Sequence, residues 1–217
     1  MIRAAIFDLD GVLVNTSNFH FAAWRDLARY LGFDLTDQDN GRLKGVSCME
    51  TLEIILEIGG ISDLTYEEKL RLVERKNRRY IEYISQLDES CLSDGALECL
   101  NKLKEKNIFI ALGSASKNAP MMLERLRIAS YFDTISNGTR AVRTKPDPEV
   151  FKNAADDLGV PYEQCMVFED SIAGIMAAKA TGMKTVGIGE AKVLHMADMT
   201  YKSLKEYVLN NHIDEIC

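Results

Sequence analysis

The chain has 217 residues, enough for one large domain or a domain with a modest insertion, since single cores stop growing near ~250 residues. Hydrophobic residues at 47% and charged residues at 27% are the proportions of an ordinary globular protein and exclude a disordered, collagenous or disulfide-scaffold chain. The 26 Lys and Arg against 33 Asp and Glu leave a formal charge of -7, which excludes a general nucleic-acid binder needing a basic footprint but leaves room for a local cation cluster on a small anion.

In chain order, the first predicted element is a short apolar run from Ala4 to Phe7, which reads as a strand buried on both faces. Trp24, Leu27, Ala28 and Leu31 then recur at helical spacing up to Gly32. Ser47 with Glu50 and Thr65 with Glu68 have the S/T-x-x-E form of capping boxes, each ahead of a periodic apolar run. No convincing strand falls between Thr16 and Cys91, so this stretch predicts a helical insertion. Beyond it strand and helix alternate: a helix on Leu97, Leu100 and Leu103, a strand from Ile108 to Leu112, a helix entered near Pro120, and a strand from Phe132 to Ser136. A helix on Phe151, Ala154, Ala155 and Leu158 leads to a strand from Cys165 to Phe168, and a helix on Ile172, Ile175 and Met176 to a strand from Thr185 to Ile188. Such alternation implies a parallel α/β sheet. The predicted division is a core of residues 1–15 and 92–217 and a cap of residues 16–91, placed over the carboxyl edge of the sheet, where open α/β sheets bind ligands.

Cys48, Cys91, Cys99, Cys165 and Cys217 are odd in number, scattered and without C-x-x-C spacing, so neither a disulfide framework nor a zinc site is expected, and a reducing cytoplasm is. The N-terminal apolar run is cut by Asp8 and Asp10 and is no signal peptide; no stretch approaches the ~20 apolar residues of a membrane span.

Four clusters carry chemistry. Asp8-Leu9-Asp10-Gly11 follows the first strand, so two carboxylates end a buried element; they form either a solvated turn or a site compensated by a cation or a shared proton. Glu169-Asp170 follows another buried run and precedes Ser171 at a helix start, which fits a simple cap or a pair of hard oxygen ligands. Gly113-Ser114-Ala115-Ser116-Lys117-Asn118 is either an ordinary Ser or Asn cap or an anion-binding loop at a helix start. Lys145, followed by Pro146-Asp147-Pro148, is either a surface lysine or a cation held by a stiff turn. Two acidic pairs at the carboxyl ends of two strands jointly offer ligands of the kind Mg²⁺ takes.

Together these parts resemble the four motifs of the haloacid dehalogenase superfamily, and nearly the whole chain is similar to its β-phosphoglucomutase-like subfamily. Phe7-Asp8-Leu9-Asp10-Gly11-Val12 matches the first motif, His20-Phe21-x-x-Trp24 the cap entry, and Leu43-Lys44-Gly45-Val46-Ser47 the cap loop. Arg75-Lys76-Asn77, Ser114 to Asn118, Lys145-Pro146 and Glu169-Asp170-Ser171-x-Ala173-Gly174-Ile175 continue in order. The resemblance implies a parallel-sheet Rossmann-like core with a helical cap inserted after the first strand. It assigns Asp8 as the nucleophile that becomes an aspartyl phosphate and Asp10 as the general acid/base. It also places Mg²⁺ on Asp8, the Asp10 carbonyl, Glu169 and Asp170, and sets Ser114, the Ala115 N–H and Lys145 on the phosphoryl oxygens. Thr16, His20 and Trp24 would belong to the substrate-binding set, with Thr16 and His20 near the hinge. Gly45, Val46, Ser47 and Lys76 would face the sugar phosphate from the cap, and Ser116, Lys117 and Asn118 from the core.

The implied reaction is interconversion of β-glucose 1-phosphate and glucose 6-phosphate through a glucose 1,6-bisphosphate by a cytoplasmic monomer, with a small phosphorylated sugar as its partner and neither nucleic acid nor membrane. The alternatives are a sugar-phosphate phosphatase using the same nucleophile and a non-catalytic phosphosugar binder. One departure stands out: the subfamily continues Gly-Val-Ser with arginine, and here that residue is Cys48, a neutral thiol that cannot replace a bidentate, permanently charged donor.

Overall fold

The computed structural model describes residues 1–43 and 47–210, and these form two units, residues 1–15 with 87–210 and residues Thr16–Gln86. The predicted cap positions Gly45 and Val46 lie outside the described residues, as do Lys44 and Cys217.

The larger unit is built on six parallel strands, β1 (Ala4–Phe7), β2 (Phe109–Gly113), β3 (Thr134–Ser136), β4 (Cys165–Glu169), β5 (Lys184–Ile188) and β6 (Met199–Tyr201), in the spatial order β3-β2-β1-β4-β5-β6. The first strand is therefore central, paired to β2 and β4, which accounts for its unbroken burial. Side chains alternate across it. Ala4 and Ile6 join a core with Ala111, Val167, Phe151, Ala154, Ala155 and Ala177, whereas Phe7 stacks on Phe168 at 4.4 Å and Phe168 meets the edge of Tyr207 at 5.0 Å. Small residues at 154, 155 and 177 let helices approach the sheet closely.

The sequence reading stops at five strands. The sixth, β6, consists of three half-buried residues with no apolar run, and only its pairing to β5 makes it a strand. The run from Phe132 enters the sheet only at Thr134; the exposed Asp133 just before it is tied to β2, its N–H donating to the Ile110 carbonyl at 2.7 Å and its carboxylate accepting from the Ile110 N–H at 2.7 Å.

In the smaller unit the helices are α1 (Ser17–Tyr30), the single turn α2 (Asp37–Asn40), α3 (Cys48–Ile58) and α4 (Tyr66–Ile84). Both capping boxes form. Ser47 Oγ accepts from the Glu50 N–H at 3.2 Å while Glu50 accepts from the Ser47 N–H at 2.8 Å, and Thr65 and Glu68 repeat the exchange at the head of α4. Trp24, Leu27, Ala28, Leu35, Leu52, Ile55 and Leu56 give this unit its own core, as the 3.6-residue period requires. Residues 87–91, counted with the cap in the sequence reading, group with the larger unit instead: Val14 bridges Leu92 and the Ser93 N–H donates to the Leu13 carbonyl at 2.9 Å, so the returning chain is tied to the first strand's exit.

The remaining helices are α5 (Ala96–Glu105), α6 (Ala119–Arg125), α7 (Glu149–Leu158), α8 (Ile172–Lys179) and α9 (Leu204–Leu209), all in the larger unit. No helix among the described residues is long and apolar enough to cross a membrane.

Candidate active site

Because β1, β2 and β4 are parallel neighbours in register, their carboxyl ends deliver Asp8, Ser114 and Glu169-Asp170 to one edge of the sheet. Asp8 continues the ladder, its N–H donating to the Phe168 carbonyl at 2.9 Å. The chain then doubles back: the Gly11 N–H donates to the Val14 carbonyl at 2.7 Å, and the Leu13 and Val14 N–H groups donate to the Leu9 carbonyl. Gly11 has φ +87°, and a Cβ there would lie 1.8 Å from Asp170 Oδ2, so only glycine lets the loop pass beneath the second acidic pair.

Lys145 reaches this edge from the segment before α7, where its peptide to Pro146 is cis. Its Nζ donates to Asp8 Oδ1 at 2.5 Å and to Glu169 Oε1 at 2.8 Å, with its side chain only 11% exposed. The other oxygen of Glu169 accepts from the Ser171 N–H at 2.8 Å and the Ser171 hydroxyl at 3.0 Å. Ser171 in turn caps α8 by accepting from the Gly174 N–H at 3.1 Å. A Cβ at Gly174 would come within 2.1 Å of the Glu169 carboxyl carbon. Ser171 and Gly174 thus hold Glu169 in place, a role visible in sequence only as a Ser-x-x-Gly helix start.

Three carboxylates around one ammonium leave excess negative charge. Burial, reinforced by Glu169 and Asp10, raises the Asp8 carboxyl well above its ordinary value despite Lys145. Asp170 keeps an exposed face, but desolvation of its carboxyl among the neighbouring side chains, and then the Glu169 charge, push it up to about 7. For Lys145, burial works against the charge, but Asp8 and Glu169 prevail and its affinity for the proton rises. One carboxylate oxygen from each of Asp8, Glu169 and Asp170 lies within 4.8 Å of the others. This is a hard-oxygen donor set suited to a small divalent cation such as Mg²⁺. Among the described residues the Asp10 side chain is not part of that cluster.

The serine loop is pre-formed. Ser114 is buried; its N–H donates to the Ser136 carbonyl at 3.1 Å, and its Oγ accepts from the Ser116 N–H at 3.1 Å. Ser116 Oγ accepts from the Asn118 N–H at 3.2 Å just ahead of α6, while Ala115 and Lys117 are exposed.

In the smaller unit, Thr16 is buried and its carbonyl accepts the first N–H groups of α1, from Phe19 and His20. His20 stacks on Tyr80 at 4.1 Å and its Nδ1 lies 3.0 Å from Lys76 Nζ, which sits 4.9 Å from the ring centres of Trp24 and Tyr80. Burial and then the Lys76 charge lower the His20 pKa to about 3, so Nδ1 accepts from the ammonium. Ser47 is occupied by its capping box, and the adjacent Cys48 is exposed. Near it in sequence, Arg42 pairs with Glu57 at 3.3 Å, and Arg25 pairs with Asp34 at 2.8 Å.

A parallel sheet whose central strand ends in a buried aspartate, contacted by a lysine and flanked by an acidic pair, is an arrangement with counterparts among known proteins. The family model for haloacid dehalogenase-like hydrolases matches residues 2–182, and the chain belongs to that family. It is 41% identical over 209 residues to the β-phosphoglucomutase of Bacillus subtilis, covering 96% of this chain and 92% of the relative. It is 32% identical to the phosphorylated carbohydrates phosphatase of Thermotoga maritima, covering 96% and 97%. Among solved structures, the β-phosphoglucomutase of Clostridium difficile superposes with a TM-score of 0.84 at 37% identity, covering 99% and 98% of the two chains.

Proposed function

We propose that this chain is a Mg²⁺-dependent phosphosugar mutase that interconverts β-glucose 1-phosphate and glucose 6-phosphate through a glucose 1,6-bisphosphate. The observation that carries the reading is the buried Asp8, held 2.5 Å from Lys145, in a chain 41% identical to a β-phosphoglucomutase. Asp8 attacks phosphorus and carries the phosphoryl group as an acyl phosphate; the sugar oxygen leaves with a proton from Asp10, which takes a proton back from the accepting hydroxyl. Ser114, the Ala115 N–H and Lys145 bind the peripheral phosphoryl oxygens, where charge redistributes during transfer. Asp8, Glu169 and Asp170, with the Asp10 carbonyl, would hold Mg²⁺, which supplies charge neutralisation that lets a carboxylate approach a phosphate. Lys76 and His20 serve substrate recognition in this reading.

A second reading, a sugar-phosphate phosphatase, is favoured by Cys48. No arginine stands at that position, Arg25 and Arg42 are engaged with Asp34 and Glu57, and a relative at 32% identity is a phosphatase. Product analysis with β-glucose 1-phosphate, with and without a hexose bisphosphate primer, separates the two. Isomerised product that depends on primer supports the mutase. Free phosphate as the main product transfers the assignment to the phosphatase, and no turnover of either kind overturns both for this sugar.

A further inference from the structure

Lys145 is contacted on more than its carboxylate side. Its Nζ also lies 4.7 Å from the centre of the Phe151 ring, within the range of an attractive cation–π contact. Phe151 has no solvent exposure. Phe151 lies six positions after Lys145, and the intervening turn is tied down: the Asp147 N–H donates to the Thr144 carbonyl at 3.0 Å, and Asp147 Oδ1 accepts from the Glu149 N–H at 3.0 Å at the head of α7. The same ring presses on the other phosphate-binding element. A Cβ at Gly113, the residue before Ser114, would stand 2.6 Å from Phe151 Cδ1 and 2.8 Å from Cε1, so the ring lies against the bare backbone of β2 where the serine loop begins.

We propose that Phe151 is a positioning residue for phosphoryl transfer: its ring face steers the Lys145 ammonium toward Asp8 while its edge sets the height of the Gly113-Ser114 backbone, fixing the two phosphoryl-binding groups relative to each other. The chemistry suits the task. A third carboxylate here would compete with incoming phosphoryl oxygens for the ammonium, and an aliphatic side chain would exert no pull on it. An aromatic face attracts the cation without a lone pair to hold its protons. The proposal rests on the reading of Lys145 as a phosphoryl-binding group.

The test replaces Phe151 in the full chain by mono-, di- and trifluorophenylalanine, which keep the ring's shape while draining the negative charge from its face, and adds Phe151→Leu. Turnover of β-glucose 1-phosphate, thermal unfolding and the proton shift of the Lys145 ε-methylene, displaced by the ring current in metal-free protein, are read for each. The expected result is a stepwise fall in kcat/KM with fluorination, roughly two- to thirtyfold at the end of the series, with an unchanged melting temperature. In Phe151→Leu the ε-methylene shift collapses. A flat series overturns the proposal even if Phe151→Leu is slow, because the ring would then act by volume alone. Lys145→Met separates this failure from that of the underlying reading: loss of turnover in Lys145→Met with a flat series removes only the role of Phe151, whereas parental turnover removes the role of Lys145 as well.

Discussion

Substituting alanine for Gly174 probes the geometry of the acidic pair more sharply than deleting a carboxylate. The new Cβ would fall 2.1 Å from the Glu169 carboxyl carbon and 2.2 Å from Oε1, so the carboxylate must retreat by about 1 Å or more to reach ordinary contact. It has nowhere soft to go: Glu169 is 1% exposed and bonded to Lys145, the Ser171 N–H and the Ser171 hydroxyl. Losing or stretching those contacts costs about 3–5 kcal/mol at the values typical of hydrogen bonds to charged groups. Alanine in place of glycine inside α8 returns about 1 kcal/mol of helix propensity, leaving a net loss of about 2–4 kcal/mol and a melting temperature lower by roughly 5–15 °C. Thermal unfolding of Gly174→Ala, Glu169→Ala and the double variant forms a cycle. In the Glu169→Ala background the clash is gone, so Gly174→Ala should be neutral or mildly stabilising there. Equal effects in both backgrounds, or a Gly174→Ala protein as stable and as active as the parent, would refute the reasoning.

Asp8→Asn should abolish turnover while keeping the fold, and EDTA should silence the parent; an Asp8→Asn enzyme running at the parental rate removes the covalent mechanism. Cys48→Arg should lower the apparent constant for a hexose bisphosphate by about ten- to hundredfold, the value of a charge-assisted contact of ~1.5–3 kcal/mol, and raise the ratio of mutase to phosphatase turnover. If both quantities stay fixed while Arg42→Ala destroys bisphosphate binding, Arg42 must leave Glu57 for the distal phosphate and Cys48 is no functional loss. His20, neutral in the fold with its pKa lowered from 6.5 to about 3, makes the unfolded chain the stronger proton binder between those values. Its contribution to stability is therefore complete above pH 6.5 and is lost as pH falls toward 3, with a slope of at most about 1.4 kcal/mol per pH unit. Urea unfolding at pH 7 and pH 5 should show a smaller loss in His20→Asn than in the parent, and identical losses count against the buried neutral imidazole.

Much of this molecule is legible in one dimension because the signals are local. Apolar runs bounded by polar residues mark β1, β2, β4 and β5, the Ser47–Glu50 and Thr65–Glu68 boxes mark the starts of α3 and α4, and the acids after β1 and β4 fall at strand ends. Read singly, each cluster is ambiguous between a turn or cap and a site, because a short acidic or hydroxyl stretch satisfies backbone groups in either case. What resolves them is strand order. Placing β1 between β2 and β4 brings Asp8, Ser114 and Glu169 to one edge across more than 100 residues of chain, and no local pattern encodes that adjacency.

Tertiary structure alone decided the finer features. β6 is a strand only because β5 offers a free edge. Gly11 must be glycine because the Asp170 carboxylate, brought from another strand's end, occupies the space of its Cβ, and Gly174 because the Glu169 side chain five positions earlier is held where its Cβ would stand. Phe151 reads in sequence as one apolar position among four on a helix, and its place beside Lys145 and Gly113 follows from how α7 docks on the sheet. Periodicity and caps depend on neighbours within a few residues and so survive in the sequence, whereas the site depends on which distant backbones are held within a few ångströms, and only the packed sheet sets that.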